Sequence, residues 1–273
     1  MKKITRITTQ KKNKHRFNVF VENGKSDMYA FSVDADILVK YNLRKGLELS
    51  NGDWEELQEQ NDLQKGYGMA LHFLSYRMRT KKEIHDYLYG KDVDPEQITE
   101  IIGRLEKEKL LDDQEFANAF VRDRMEFSTK GPQILIQELI KKGVPQAQAA
   151  EAAAAYTYEK QFEKAFKLAG KRLERSTSKS FKQQLQQLHA HLLQKGFSNG
   201  VIKDVVERYK NEKDTDGEWE ALLKQGEKLW QKNARKYEGY NLQLKVKEGL
   251  YRKGFELQAI DRFIEEKKTE NQS

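Results

Sequence analysis

Between Lys160 and Arg175 cations recur at three- and four-residue steps: Lys164, Lys167, Lys171 and Arg175, with Arg172 and Lys179 close by. Phe162, Ala165, Phe166, Ala169 and Leu173 fall on the opposite side, so the segment reads as an amphipathic helix with one basic ridge. At helical rise that ridge is about 16 Å long. A row of this kind can displace counterions from a phosphate backbone, which gives sequence-blind, salt-dependent binding. Only Glu163 and Glu174 interrupt it. A solvated lysine face explains the same residues, and the spacing leaves both readings open. Arg77, Arg79, Lys81 and Lys82 make a second basic cluster at a helix turn. There arginine can pair with a protein partner's carboxylates, or the cations can simply complement a helix C-terminus.

Other residues look like chemistry and are better explained by backbone. Asp112 and Asp113 are adjacent carboxylates, but Asp112, with Glu115 three places on, reads as a helix start resembling a capping box. Phe116 and Phe120 repeat at helical spacing and are assigned to the core, and Tyr156, Tyr158, Tyr237 and Tyr240 to core or rim. Gly24-Lys25-Ser26 mimics the end of a phosphate loop, yet Val19 stands where the first glycine belongs. Gly196 to Gly200 matches a nucleophile-elbow string but has no strand before it. His189 and His191 are two apart and cannot share a helix face as metal ligands. No catalytic, cofactor-binding or metal site is expected, and no enzyme.

Composition sets the frame for these residues. The 273 residues are 37% hydrophobic and 34% charged, with a formal net charge of +7. That balance favours acidic partners, nucleic acid first among them. There is no cysteine, hence no disulfide or thiolate chemistry. No apolar run is long enough to span a bilayer, so a cytoplasmic protein without membrane contact is expected.

Residues 1–50 read as a small antiparallel β module. Arg16 to Glu22 alternates, Asn23-Gly24 is a hairpin turn, and Met28 to Val33 returns. Ile4 to Thr8 offers a third strand, and a short helix follows near Asp36 to Tyr41. Met1 to Arg16 holds seven Lys/Arg and no acid. From about residue 51 the pattern is helical and internally repeated. Gly131-Pro132 ends one helix and opens the next, and Gly143 closes that one as a left-handed cap. The grammar recurs at Val93, Val144, Phe197 and Phe255, each a bulky residue after a small turn. We expect a connecting helix over 51–65, then three-helix repeats over 66–111, 112–158, 160–210 and 216–267, and a frayed tail over 268–273. The fold class is mainly α: tandem three-helix repeats in an extended curved array, with the N-terminal β module.

The ordered motifs resemble the RecX family of regulators of the RecA recombinase, in its long form with an N-terminal extension. Ala70 to Ile84 resembles the family's opening helix and its Arg-x-Arg-Ser turn, with Thr80 in the serine place. Leu111-Asp112-Asp113 with Phe116-Ala117 resembles its central motif. Lys130-Gly131-Pro132 with Glu138-Leu139 and Lys142-Gly143 resembles the next helix and its cap. The likeness is sharp over 68–158 and looser over 160–267. It implies a non-enzymatic protein, expected as a monomer, that binds along the groove of the RecA–DNA filament and restrains growth, ATP hydrolysis and strand exchange. Contact with single- or double-stranded DNA, weak and salt-dependent, is expected from the basic ridge and the charge surplus. Two other readings stay open: a stand-alone helical DNA-binding regulator, and a helical scaffold that meets only proteins.

Overall fold

The computed structural model describes residues 1–11, 14–24, 26–174, 178–211 and 215–270. It divides into two units. The first holds Met1–Phe116 with Lys142–Val144, and the second holds Ala117–Lys141 with Pro145–Ser273.

In the first unit, alternating residues build strands β1 (Lys2–Thr9), β2 (Arg16–Asn23) and β3 (Ser26–Asp34). Helix α1 (Ala35–Lys40) and a two-residue strand, β4 (Glu48–Leu49), follow. The sheet is antiparallel in the order β3-β2-β1-β4, so β1 is a full member and β4 an unforeseen edge. Gly24, in the left-handed region at φ +66, turns β2 into β3. Ile4, Val19, Val21 and Val33 point to one face and bury against Ile37, Leu43, Trp54 and Leu57.

Ser50 starts α2 (Asn51–Leu74) with a complete capping box to Asp53. This helix runs unbroken for 24 residues, so the expected connecting segment and the opening helix of the first repeat are continuous. Its first half supports the sheet. Its second half supplies Tyr67 and Ala70 to a core with Ile84, Leu88, Ile98, Ile101 and Leu105. Those residues come from α3 (Lys81–Tyr89), capped by Thr80 and Glu83, and from α4 (Pro95–Lys107), capped by Asp94 with Pro95 in its first turn.

The central motif then behaves as backbone chemistry. Asp112 accepts from the N–H groups of Gln114 and Glu115 at 2.8 and 3.0 Å and starts α5 (Asp113–Phe127). Asp113 is buried and accepts the Lys81 N–H at 2.9 Å, so it serves the start of α3. Phe116 is core.

Beyond Phe116 the second unit continues with α6 (Pro132–Lys141), α7 (Gln146–Ala154), α8 (Tyr158–Leu173), α9 (Phe181–Gln194), α10 (Asn199–Lys210), α11 (Thr215–Asn233), α12 (Gly239–Arg252) and α13 (Leu257–Glu270). The last three enclose their own core of Leu222, Val246, Leu250, Ile260 and Phe263.

One turn recurs. Val93, Phe197 and Phe255 each donate a backbone N–H to the carbonyl five residues back, at 3.2 to 3.3 Å. Gly196 and Gly254 take positive φ in these turns, as Gly143 does in its own, and in the earliest turn Asp92 does so at φ +58.

The carbonyl before each of the three glycines is then captured by a helix start. Thr80 Oγ1 donates to Lys142 O at 2.6 Å. In the second unit the Gly131 N–H donates to Lys195 O at 2.7 Å, and the Ser180 hydroxyl donates to Lys253 O. Thr80 and Ser180 are fully buried, and each also caps its own helix. Gly131 lacks a side chain because a Cβ there would fall well inside contact distance of the Gly196 carbonyl. Pro132 begins α6 beside it, where its missing N–H costs nothing.

Candidate nucleic-acid interface

In the first unit much of the 77–82 cluster is paired within the fold, although Arg77 and Lys82 stay exposed. Glu83 is fixed by its capping role, and this places its carboxylate where Arg77 grips it with two hydrogen bonds of 3.0 Å. Lys142 reaches the same carboxylate at 3.1 Å. Burial would raise the Glu83 pKa, but hydrogen bonds from Arg77 and Lys142, with their charges, outweigh it and hold the group at about 2. Arg79 lies 3.8 Å over the Phe73 ring, itself stacked on Tyr87, and burial followed by the Arg77 charge lowers its pKa. Lys81 is ion-paired with Glu106, whose hydrogen bond raises the lysine pKa. Lys82 is exposed and packs its stem against Gly143. Arg79 Nε donates to the Phe73 carbonyl at the end of α2 at 3.5 Å, as a cation complementing a helix end does. Arg77 takes an internal carboxylate, because the capping box delivers one within reach.

In the second unit α8 buries Ala165 and Ala169 and half-buries Phe162, Phe166 and Leu173, the face its spacing predicts. Lys164 departs from the expected ridge. Its ammonium turns onto the Met125 and Ser128 carbonyls at the end of α5, and burial lowers its pKa. The exposed ridge therefore consists of Lys167, Lys171 and Arg172. Arg175 lies outside the described residues. Lys179, half-buried, donates to Gln187 at 2.7 Å.

Packing α9 beside α8 makes Lys171 and Arg172, from the end of this ridge, part of one wall of a cleft of about 430 Å³. Leu168, Lys171, Arg172, Leu173, Lys179, Gln184, Gln187 and His191 line it, and none of them is acidic. Burial, then the charges of Arg172 and Lys195, lower the His191 pKa and favour its neutral form. Amide and imidazole groups beside three cations can hold an anion without reading a base. The three α9 residues were not foreseen: the sequence shows them as scattered polar positions, and only the α8–α9 packing brings them to the cations. A neighbouring cleft of about 340 Å³ mixes Lys160, Lys164 and Lys167 with Glu126 and Glu163 and suits an anion less well. No group of three His, Asp or Glu side chains among the described residues could hold a metal ion. No described helix is long and apolar enough to cross a membrane.

Comparison with known proteins covers the whole of this architecture. Four family models match in order: the regulatory protein RecX N-terminal domain over 2–50, the first RecX three-helix domain over 67–105, the second over 112–152, and the third twice, over 159–206 and 216–264. The regulatory protein RecX of Oceanobacillus iheyensis is 48% identical over 267 residues, covering 97% of this chain and 98% of the relative. That of Bacillus subtilis is 43% identical over 264 residues, covering 96% and 98%. A crystal structure of regulatory protein RecX superposes with a TM-score of 0.66 at 33% identity, over 75% of this chain and all of that one. A crystal structure of RecX from Lactobacillus salivarius gives 0.53 at 36% identity, over 55% and 97%. The double match of the third domain gives the residues after 158 the repeated character that the Lys-Gly-Phe turns suggest. The chain belongs to the RecX family of regulatory proteins.

Proposed function

We propose that this protein binds RecA–DNA filaments and negatively modulates the recombinase, restraining filament growth, ATP hydrolysis and strand exchange, without catalysing a reaction itself. The observation that carries the DNA side of this reading is the acid-free cationic cleft between α8 and α9. Lys171 and Arg172 are exposed there and meet no acidic residue in the lining. A phosphate backbone supplies the missing negative charge, and contact with neighbouring protomers adds avidity that no single repeat has. The recombinase side rests on family membership. Arg77, Arg79, Lys81 and Lys82 remain its candidate contacts, through whatever surface their internal pairs leave open.

The test is ATP hydrolysis by RecA on single-stranded DNA with the protein added below one copy per protomer. Loss of hydrolysis at that ratio, weakened in a Lys167→Glu/Lys171→Glu variant, supports action on the filament. Unchanged hydrolysis with intact binding to bare DNA would sink it and favour a stand-alone DNA-binding regulator.

A further inference from the structure

The β module carries a surface that the helical repeats do not explain. Residues 1–50 contain eleven Lys/Arg and five Asp/Glu, a net of +6 in a chain whose total is +7. The sheet buries one face against α1 and α2. On its other face two rows cross the strands: Arg6–Phe20–Tyr29 and Thr8–Asn18–Ser32.

The first row sets a cation and two rings side by side, the rings nearly perpendicular to each other. The Arg6 guanidinium lies 4.1 Å over the Phe20 ring, and Phe20 meets Tyr29 edge-on at 5.9 Å. Arg6 and Tyr29 are each 53% exposed. The second row holds the first in place. Gln10 donates to Asn18 and Ser32 at 2.9 Å, and Tyr29 and Ser32 share a hydrogen bond of 2.8 Å. Tyr29 is thus fixed before any ligand arrives. Asp27, 3.7 Å from Arg6, brings acid to the row, and its cross-strand partner Glu22 adds a second carboxylate at the Asn23 end of the same face.

We propose that this open sheet face is a platform for single-stranded DNA. Unpaired bases stack on the exposed Tyr29 ring and on the Arg6 guanidinium that covers Phe20, the phosphates draw on the exposed Lys11 and Lys14 at the β1–β2 end, and a phosphate displaces Asp27 from Arg6. A duplex hides the base faces that such a surface needs. A protein partner gains nothing from the charge surplus unless it is itself acidic. The choice of DNA as the strand rests on the functional reading above; the stacking surface does not.

The experiment uses the full chain, with no recombinase present, and measures fluorescence anisotropy of a labelled oligothymidine at low salt. Tyr29→Ala is expected to weaken binding roughly 5- to 150-fold, the span found for one lost stacking contact. Asp27→Asn is expected to tighten it, an outcome that unfolding cannot imitate. Thermal melting verifies that both variants are folded. Photo-crosslinking to 5-iodouracil should label the 16–34 peptide. Wild-type affinity in both variants, or crosslinks confined to the helical repeats, overturns the proposal. So does a Tyr29→Ala protein that keeps its DNA affinity but no longer restrains recombinase ATP hydrolysis, because the face then meets protein. Failure of this kind leaves inhibition by the wild-type chain untouched, so the two readings can fall separately.

Discussion

Thr80 shows how much one buried hydroxyl does here. It accepts from the Glu83 N–H at 3.1 Å and donates to Lys142 O at 2.6 Å. Thr80→Val keeps the shape, removes the cap and leaves that carbonyl unsatisfied. A loss of about 1–3 kcal/mol in urea unfolding is expected. Its neighbour Glu83 gives a pH signature. A carboxyl held at about 2 in the fold, against 4.5 when free, adds stability that is present above pH 4.5 and lost as the pH falls towards 2. Glu83→Gln should flatten that part of the stability–pH curve; an unchanged slope would refute the Arg77–Glu83–Lys142 account. The capping role of Asp112 was readable from the sequence, because a cap is a local bargain between a side chain and the next turn of backbone. The second hydrogen bonds of Thr80 and Ser180 were not, since their acceptors lie 62 and 73 residues away.

At the scale of the element, α8 separates a structural lysine from exposed ones. Lys164→Met should cost about 1 kcal/mol or more, because it strips the last carbonyls of α5 of a charged donor, and should leave DNA affinity nearly unchanged. Lys171→Glu should do the reverse, with melting near wild type and binding weakened, as anisotropy would report. Opposite results would place the contact on the buried side. His191 adds a pH test on the same cleft. Its neutral form is favoured in the free protein, whereas a bound anion favours the imidazolium. Affinity for single-stranded DNA should therefore rise as the pH falls below the ordinary histidine range, where the free protein still holds His191 neutral. His191→Gln should remove that rise. Periodicity located the α8 amphipath correctly but assigned Lys164 to solvent. A 3.6-residue repeat gives the direction of a side chain, not the presence of a helix end within its reach.

Over the whole molecule, charge is distributed unevenly. With six of the seven net positive charges in residues 1–50, the β module should dominate the salt dependence of DNA binding. On single strands each lost phosphate contact lowers the slope of log affinity against log salt by about 0.7. Arg6→Ala should lower it by one such step, and so should Lys171→Glu if both surfaces engage one strand. A slope that responds only to the α8 variant would confine DNA contact to the repeats.

The sequence by itself determined what depends on near neighbours. It specified a helical body, the hairpin at Gly24, the caps, the left-handed glycine turns and the RecX resemblance, since each follows from residue type and short spacing. Tertiary structure alone decided three other things. It joined the connecting segment to the first repeat as one helix, because nothing between Asn51 and Leu74 stops it and two cores share its length. It gave Arg77 and Lys164 internal partners that stand six and more than thirty residues away in the chain. And it brought Gln187 and His191 to Lys171 and Arg172, and Tyr29 to Phe20, since helix packing and strand register place side chains together by geometry that no local pattern encodes.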